Sequence, residues 1–180
     1  MPSETADPAE ATVVALTPMT AEHLRSYLDL RLSAEGTGQF QWFGFKSPAA
    51  MRRRFEEDGC IGPDGGLLSV MLAAEWAGTV EWFPGLWGPA ATSRCWTIAI
   101  GIVPALRGRG IGTQAQRLLA RYLFDHTRAE RIQAWTDVAN LAEQRSLSRA
   151  GFHEEGTLRR AQWRGGAWHD QKIYSRLRED

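Results

Sequence analysis

The sequence specifies an α+β protein, one mixed sheet with helices on its faces, and three features carry that reading. Leu67 to Glu75, Gly78 to Phe83 and Cys95 to Val103 are consecutive strand-like runs joined by turns at Ala77-Gly78 and around Pro84 to Pro89, an antiparallel meander. From Gly110 the period changes, and Ile111, Ala115, Leu118, Leu119, Tyr122 and Leu123 make one stripe of a long helix. Phe152 to Arg164 and Trp168 to Leu177 then close the chain as a hairpin turning at Gly165-Gly166.

The remaining elements fall into place around these. Residues 1–10 are rich in Pro, Ala, Ser and acidic side chains and read as a disordered lead-in, which leaves 11–180 as a single domain. Thr12 to Leu16 is a short β-branched strand. Thr20 caps a helix whose Leu24, Tyr27, Leu28 and Leu32 share a buried face and whose end lies near Gly36. Ser47-Pro48 opens a second helix that stops at Asp58-Gly59. Arg131 to Val138 is a strand, and Leu141 to Ala150 is a helix closed by Gly151.

Composition bounds the function. With 43% hydrophobic and 23% charged residues the 180-residue chain has the balance of an ordinary soluble domain. Lys and Arg number 21, as do Asp and Glu, so the footprint of a dedicated nucleic-acid binder is missing. The balance is uneven along the chain: residues 1–100 hold 7 basic and 12 acidic side chains, residues 101–180 hold 14 and 9, and the second half is better suited to a polyanion. Cys60 and Cys95 have no second pair, which argues against a disulfide framework and for a reducing cytoplasm. No export signal or 18-residue apolar run occurs, so no membrane partner is expected. His23, His126, His153 and His169 form no His-x-x-x-His pair and suggest no metal.

The chemistry concentrates where the strand ending at Val103 runs through Arg107-Gly108-Arg109-Gly110-Ile111-Gly112-Thr113 into the long helix. Glycines let backbone approach a ligand, and free N–H groups at a helix start bind phosphate oxygens. Arg107 and Arg109 add charge that forks onto such oxygens. The dinucleotide fingerprint would need glycine at Thr113, and the nucleotide P-loop would need a lysine, whereas the only lysines are Lys46 and Lys172. What remains is Arg-x-x-Gly-x-Gly at a strand-to-helix junction. Further on, Asn140 to Glu143 has the form of a helix capping box, in which Glu143 would reach back to the start of its helix.

On Arg107 to Thr113, Asn140-Leu141-Ala142-Glu143 with Arg145, Arg149-Ala150-Gly151-Phe152, and Gly166 to Asp170 with Tyr174, the sequence resembles the GNAT superfamily of acyl-CoA-dependent N-acyltransferases, in its RimJ/RimL-like branch. The likeness spans about Thr12 to Leu177. It implies a GNAT fold, a central twisted seven-stranded mixed sheet flanked by four helices with its fourth and fifth strands splayed. It implies acetyl-CoA as donor and no metal. By the same resemblance Arg107, Gly108, Arg109, Gly110, Ile111, Gly112 and Thr113 would form the pyrophosphate loop, Ile102 and Val103 would offer backbone groups to pantetheine, Asn140 would contact pantetheine, and Arg145 or Arg149 would lie near the nucleotide end.

Departures from the pattern bear on mechanism. Leu147 stands where many family members carry a tyrosine that protonates the departing thiolate, and Thr97-Ile98-Ala99-Ile100 lacks the carboxylate that the branch tends to place there. Thiolate is a good leaving group, so the missing acid is survivable, but an ammonium acceptor still needs a base. Candidates are Glu81, in a central strand, and Asp137, at the end of the strand beside the splay; a carboxylate partly buried there would have its pKa raised. Each could equally be a solvated strand residue or a salt-bridge partner. The acceptor side is expected from Gly36 to Lys46, with Trp42, Phe43 and Phe45, and from Trp82, Phe83 and Trp87. Arg52-Arg53-Arg54 reads as the wet face of its helix. The expected activity is acetyl transfer to a primary amine, a protein N-terminus or a small molecule, with a silent CoA-binding module as the alternative and a homodimer as a possible assembly.

Overall fold

Successive side chains of Leu67–Val70 serve two separate cores, Leu68 and Val70 on one side of a sheet and Leu67 on the other. That alternation is the period of a strand buried on both faces. The computed structural model describes residues 13–180, so the expected lead-in of residues 1–10, and Thr12, lie outside the described residues. In chain order the first half comprises β1 (Val14–Pro18), α1 (Ala21–Arg31), α2 (Ala34–Thr37), α3 (Ala49–Asp58), β2 (Ile61–Gly62), β3 (Gly65–Leu72), β4 (Glu75–Leu86) and α4 (Ala90–Ser93). There follow β5 (Arg94–Ile102), α5 (Ile111–His126), β6 (Arg131–Asp137), α6 (Leu141–Arg149), β7 (His153–Arg164) and β8 (Ala167–Leu177).

The sheet runs β1-β3-β4-β5-β6-β8-β7, with the two-residue β2 beside β3. Every pairing is antiparallel except β5 with β6. This is the expected mixed seven-stranded sheet, with β2 added and with α2 and α4 as single-turn helices besides the four expected. One core takes the apolar stripe of α5, where Ile111, Ala115, Leu119, Ala120 and Leu123 are buried, together with Leu147 and Phe152. On the opposite face Leu24, Tyr27 and Leu28 of α1 pack with Leu67, Cys60, and Met51 and Phe55 of α3. No helix among the described residues is long and apolar enough to cross a membrane.

Three local expectations are corrected. The first helix ends at Arg31 rather than near Gly36: Ser33 Oγ accepts from Gly36 N at 3.0 Å and caps a new turn, α2, which leaves Leu32 exposed. The turn between β3 and β4 falls at Ala73-Ala74, with Ala73 in the left-handed region (φ 52°), and not at Ala77-Gly78. Those residues instead form a bulge inside β4, where the register shifts opposite Val70 and Met71. Gly78 has φ 150°, and a Cβ there would stand 2.0 Å from Gly101 O, so the glycine serves close approach of strands, not reversal. Third, β4 continues through Pro84 to Leu86, pairing with Arg94 at the start of β5.

Gly78→Ala should therefore cost about 2 kcal/mol or more in chemical denaturation, through clash and strain together. Gly101→Ala, whose Cβ would meet nothing closer than Thr79 Oγ1 at 4.0 Å, should be tolerated within about 1 kcal/mol.

Candidate functional site

Where β5 and β6 run side by side only two residue pairs are in register, Trp96 with Ile132 and Thr97 with Gln133. Beyond Thr97 the strands part, and a cleft of about 510 Å³ opens between the end of β5, the loop into α5, the start of α6 and the segment after α2. Exposed strand backbone in the gap is met by side chains: Gln41 Nε2 donates to Ile100 O at 3.0 Å, and Arg107 Nε donates to Ile102 O at 2.8 Å.

One wall of the cleft is a helix start. After a 3₁₀ turn at Pro104–Leu106 the chain passes Gly108 (φ 76°) and Gly110 (φ 78°) and enters the 16-residue α5 with no side chain capping it. The left-handed backbone at both positions favours glycine, while a Cβ on either would meet no protein atom within 4 Å. Uncapped amides with the positive end of a helix dipole suit a phosphate. The cleft thus brings together Ile102, Arg107, Gly108, Gly110, Ile111, Gly112, Thr113, Asn140 and Arg149, with Arg145 beside them.

Other expected site residues stand elsewhere or do other work. Val103 donates its N–H to Ala77 O at 3.0 Å and accepts from Leu106 N at 3.0 Å, so both its backbone groups are spent within the fold. Arg107 Nη2 donates to Gly36 O at 2.8 Å in addition to its bond to Ile102, which makes the guanidinium a staple between the α5 loop and the α2 turn. Arg109 is exposed and outside the cleft wall. Asn140 Oδ1 accepts from Glu143 N at 3.3 Å, as a helix cap does, but Glu143 does not reach back: Asn140 N donates to Asp137 O instead.

Glu143 turns into the cleft and accepts from Gln116 Nε2 on the buried side of α5. Ser146 Oγ donates to Gln116 Oε1 at 2.9 Å and lies 3.1 Å from Thr113 Oγ1, so four polar side chains stitch α5 to α6 along the cleft floor. Burial pushes the Glu143 carboxyl up to about 7, against the opposing pull of the Gln116 bond. Sequence reasoning missed this network, although Gln116, a polar residue inside the apolar stripe of α5, signals it.

Asp137 is not poised as a base. It is buried, with Arg164 Nη2 2.5 Å from Oδ2, Ala139 N donating to Oδ1 at 2.8 Å, and His169 Nδ1 3.5 Å from Oδ2. Burial alone would raise its pKa, but the hydrogen bonds from Arg164 and Ala139 and the Arg164 and His169 charges outweigh it and hold the carboxyl below its ordinary value. Glu81, half-buried on β4, meets Arg54 Nη1 at 3.3 Å, so Arg54 turns inward rather than standing on a wet face.

Glu81 lies at a neck of about 40 Å³ that also touches Tyr27, Thr37, Gln41, Ile100 and Gly101. Through Thr37, Gln41, Ile100 and Gly101 the neck shares walls with the large cleft. Through Tyr27, Arg31, Thr37, Gln41 and Glu81 it shares walls with a third cavity of about 250 Å³ bounded by Trp42, Phe43 and Lys46. Phe45 lies outside that cavity, edge-on to Trp42 at 5.3 Å. Trp82 is a core residue edge-on to Tyr122, and Trp87 donates to Gln133 Oε1 near the start of β5.

A family model described as an acetyltransferase (GNAT) domain matches residues 14–153. The Probable N-acetyltransferase YjcK of Bacillus subtilis (strain 168) is 35% identical over 103 residues, 57% of this chain and 55% of that protein, so the match spans about half of the relative's length. Among solved structures, Mycobacterium smegmatis RimJ in complex with CoA-disulfide superposes with a TM-score of 0.76 at 21% identity, covering 94% of this chain and 84% of that one. Spermidine N-acetyltransferase from Vibrio cholerae in complex with CoA and spermine gives 0.76 at 20% identity, covering 92% and 96%. At these identities the two structures show a shared fold.

Two stability measurements check the electrostatics. Asp137→Asn leaves Arg164 buried without its counter-ion and should cost about 3 kcal/mol near neutral pH. Because the folded pKa is depressed, the contribution of Asp137 is complete above its unfolded value, about 3.9, and is lost as pH falls through the folded one. Glu143 has the opposite sign. Its raised folded pKa means stability present below the unfolded value and lost as pH rises through about 7, so Glu143→Gln should raise Tm more at pH 8 than at pH 5.

Proposed function

Because the chain belongs to the GNAT acetyltransferase domain family, we propose that it moves the acetyl group of acetyl-CoA directly to a primary amine. The observation that carries this is the cleft where β5 and β6 part, walled by the uncapped start of α5. Coenzyme A has the shape such a cleft accepts: a diphosphate for the Gly108 to Thr113 turn, flanked by Arg145 and Arg149, and a flexible arm to lie along Ile102 to Ile100. The donor supplies an activated thioester; everything else falls to side chains and backbone.

In this reading the acceptor enters from the third cavity and reaches the thioester through the neck at Ile100 and Gly101. Glu81 faces that neck and takes the ammonium proton. The nitrogen then attacks the acetyl carbon, an N–C bond forms, the C–S bond breaks, the nitrogen gives its second proton to solvent to become an amide, and the departing thiolate takes one proton from solvent. Leu147 is fully buried in the core, so it lends no acid to the leaving group. Gln41 holds Ile100 O and keeps the strand edge fixed where the acyl group must sit. Asp137 holds the end of β7 through Arg164 and in this reading stands outside the chemistry.

Thermal denaturation with acetyl-CoA, CoA, ATP and NADH side by side tests the cofactor: at a hundred times Kd a ligand adds about 2.7 kcal/mol, and only the two CoA species should give a shift. Glu81→Gln should lower kcat for free-thiol release by about a hundredfold or more while the CoA-induced shift persists. Binding without turnover across a broad amine panel would instead support a silent CoA-binding module.

A further inference from the structure

The third cavity combines aromatic and aliphatic wall surface with polar side chains and is cationic in its charge. Tyr27, Leu28, Trp42, Phe43 and Met51 supply the apolar surface, and Glu81 is the one acid on its lining. That acid is already engaged by Arg54 at 3.3 Å. Arg31 and Lys46 also line the cavity, and among the described residues neither takes part in an ion pair. Both are laid against aromatic walls, the Arg31 guanidinium 5.8 Å from the Tyr27 ring centre and Lys46 Nζ 6.0 Å from that of Phe43.

This charge pattern discriminates between amines. A polyamine would bring further ammonium groups to a cavity that holds two unpaired cations and one partly neutralised acid, a like-charge arrangement that selects against it. An amine with a carboxylate meets the opposite situation. Arg31 and Glu81 both line the 40 Å³ neck as well as the cavity, so positive and negative groups flank the point where the nitrogen must pass. Amine and carboxylate joined through a single carbon present both charges together at that point, whereas a peptide N-terminus carries a carboxylate on the same residue only where that residue is Asp or Glu. The cavity, about 250 Å³, is below the roughly 300–1,000 Å³ of sites for drug-sized ligands, and its walls suit an apolar side group.

We propose that the acceptor is a small amine bearing a carboxylate and an apolar group, the chemistry of a free apolar α-amino acid, with its carboxylate on Arg31 and Lys46 and its ammonium at Glu81. The proposal rests on the acetyl-transfer reading above.

The test is free-thiol release from acetyl-CoA with L-methionine, L-leucine and L-phenylalanine, their carboxamides, a Met-Asp dipeptide amide, and spermidine. The free acids should exceed their carboxamides in kcat/KM by about tenfold or more, since a charge-assisted contact is lost on amidation. Arg31→Gln, and separately Lys46→Gln, should bring that ratio within about threefold of one, through KM of the acids more than through kcat. A residue with only a structural role would lower acid and amide turnover together. Carboxamides, dipeptide or spermidine equal to or better than the acids would overturn the proposal. No turnover with any of them, while acetyl-CoA still raises Tm, would also overturn it and leave the cofactor reading standing; loss of the Tm shift as well would overturn that reading itself.

Discussion

The fold depends on where β5 and β6 stop pairing. Their last rung, Thr97 with Gln133, is locked by more than backbone, because Gln133 Nε2 donates to Thr97 Oγ1 at 3.1 Å while Gln133 Oε1 accepts from Trp87 Nε1 at 2.8 Å. Beyond this clamp the parallel ladder ends and strand backbone opens to the cleft. Backbone carbonyls that lose their ladder partners are served here by flanking segments, which lowers the cost of the gap. Gln41 serves Ile100 and Arg107 serves Ile102, and the space between them is then available to a ligand.

Three carboxylates stand near this opening, and their environments assign them three different roles. Asp137 is buried with a guanidinium and held ionised, which makes it a structural anion. Glu143 is half-buried with an amide as its one side-chain partner, and desolvation makes its charged form the costly one and pushes the carboxyl up to about 7. Glu81 sits half-buried at the neck with one arginine contact, accessible to whatever enters. Their residue type and strand or helix position are alike enough that charge alone does not separate them; their partners do.

Patterns of local origin were legible in the sequence. The α5 stripe (apart from Leu118, which is left exposed), the Gly165-Gly166 hairpin, the glycine turn into α5 and the Asn140 cap follow from contacts within a few residues and stand where the sequence puts them. What escaped depends on distant partners. Gly78 reads as a turn because glycine commonly marks one, yet its reason lies in Gly101 O on the neighbouring strand. Asp137 reads as a base because burial raises a carboxylate pKa, and Arg164, 27 positions later, reverses the sign. Arg107 reads as a phosphate ligand by its motif, while its bond to Gly36 spans 71 positions. Glu143 completes a capping box on paper, but Gln116 offers a buried donor that the helix start does not.

The Arg107 staple ties the two halves of the site to one another. Its guanidinium joins the end of β5 to the α2 turn, and the segment just after that turn, Thr37 to Gln41, walls the large cleft while Thr37 and Gln41 also line the neck and the third cavity. A Cβ at Gly36 would stand 2.3 Å from Leu30 O, so the α2 turn packs directly on the end of α1. The loop that fits a phosphate and the segment that lines the third cavity are therefore tied together by one side chain. The neck of about 40 Å³ is lined by residues of both the large cleft and the third cavity, Thr37 and Gln41 among them. In the proposed transfer, donor and acceptor occupy separate cavities that share only Thr37 and Gln41, which leaves the aromatic cavity free to differ in its amine without changing the large cleft.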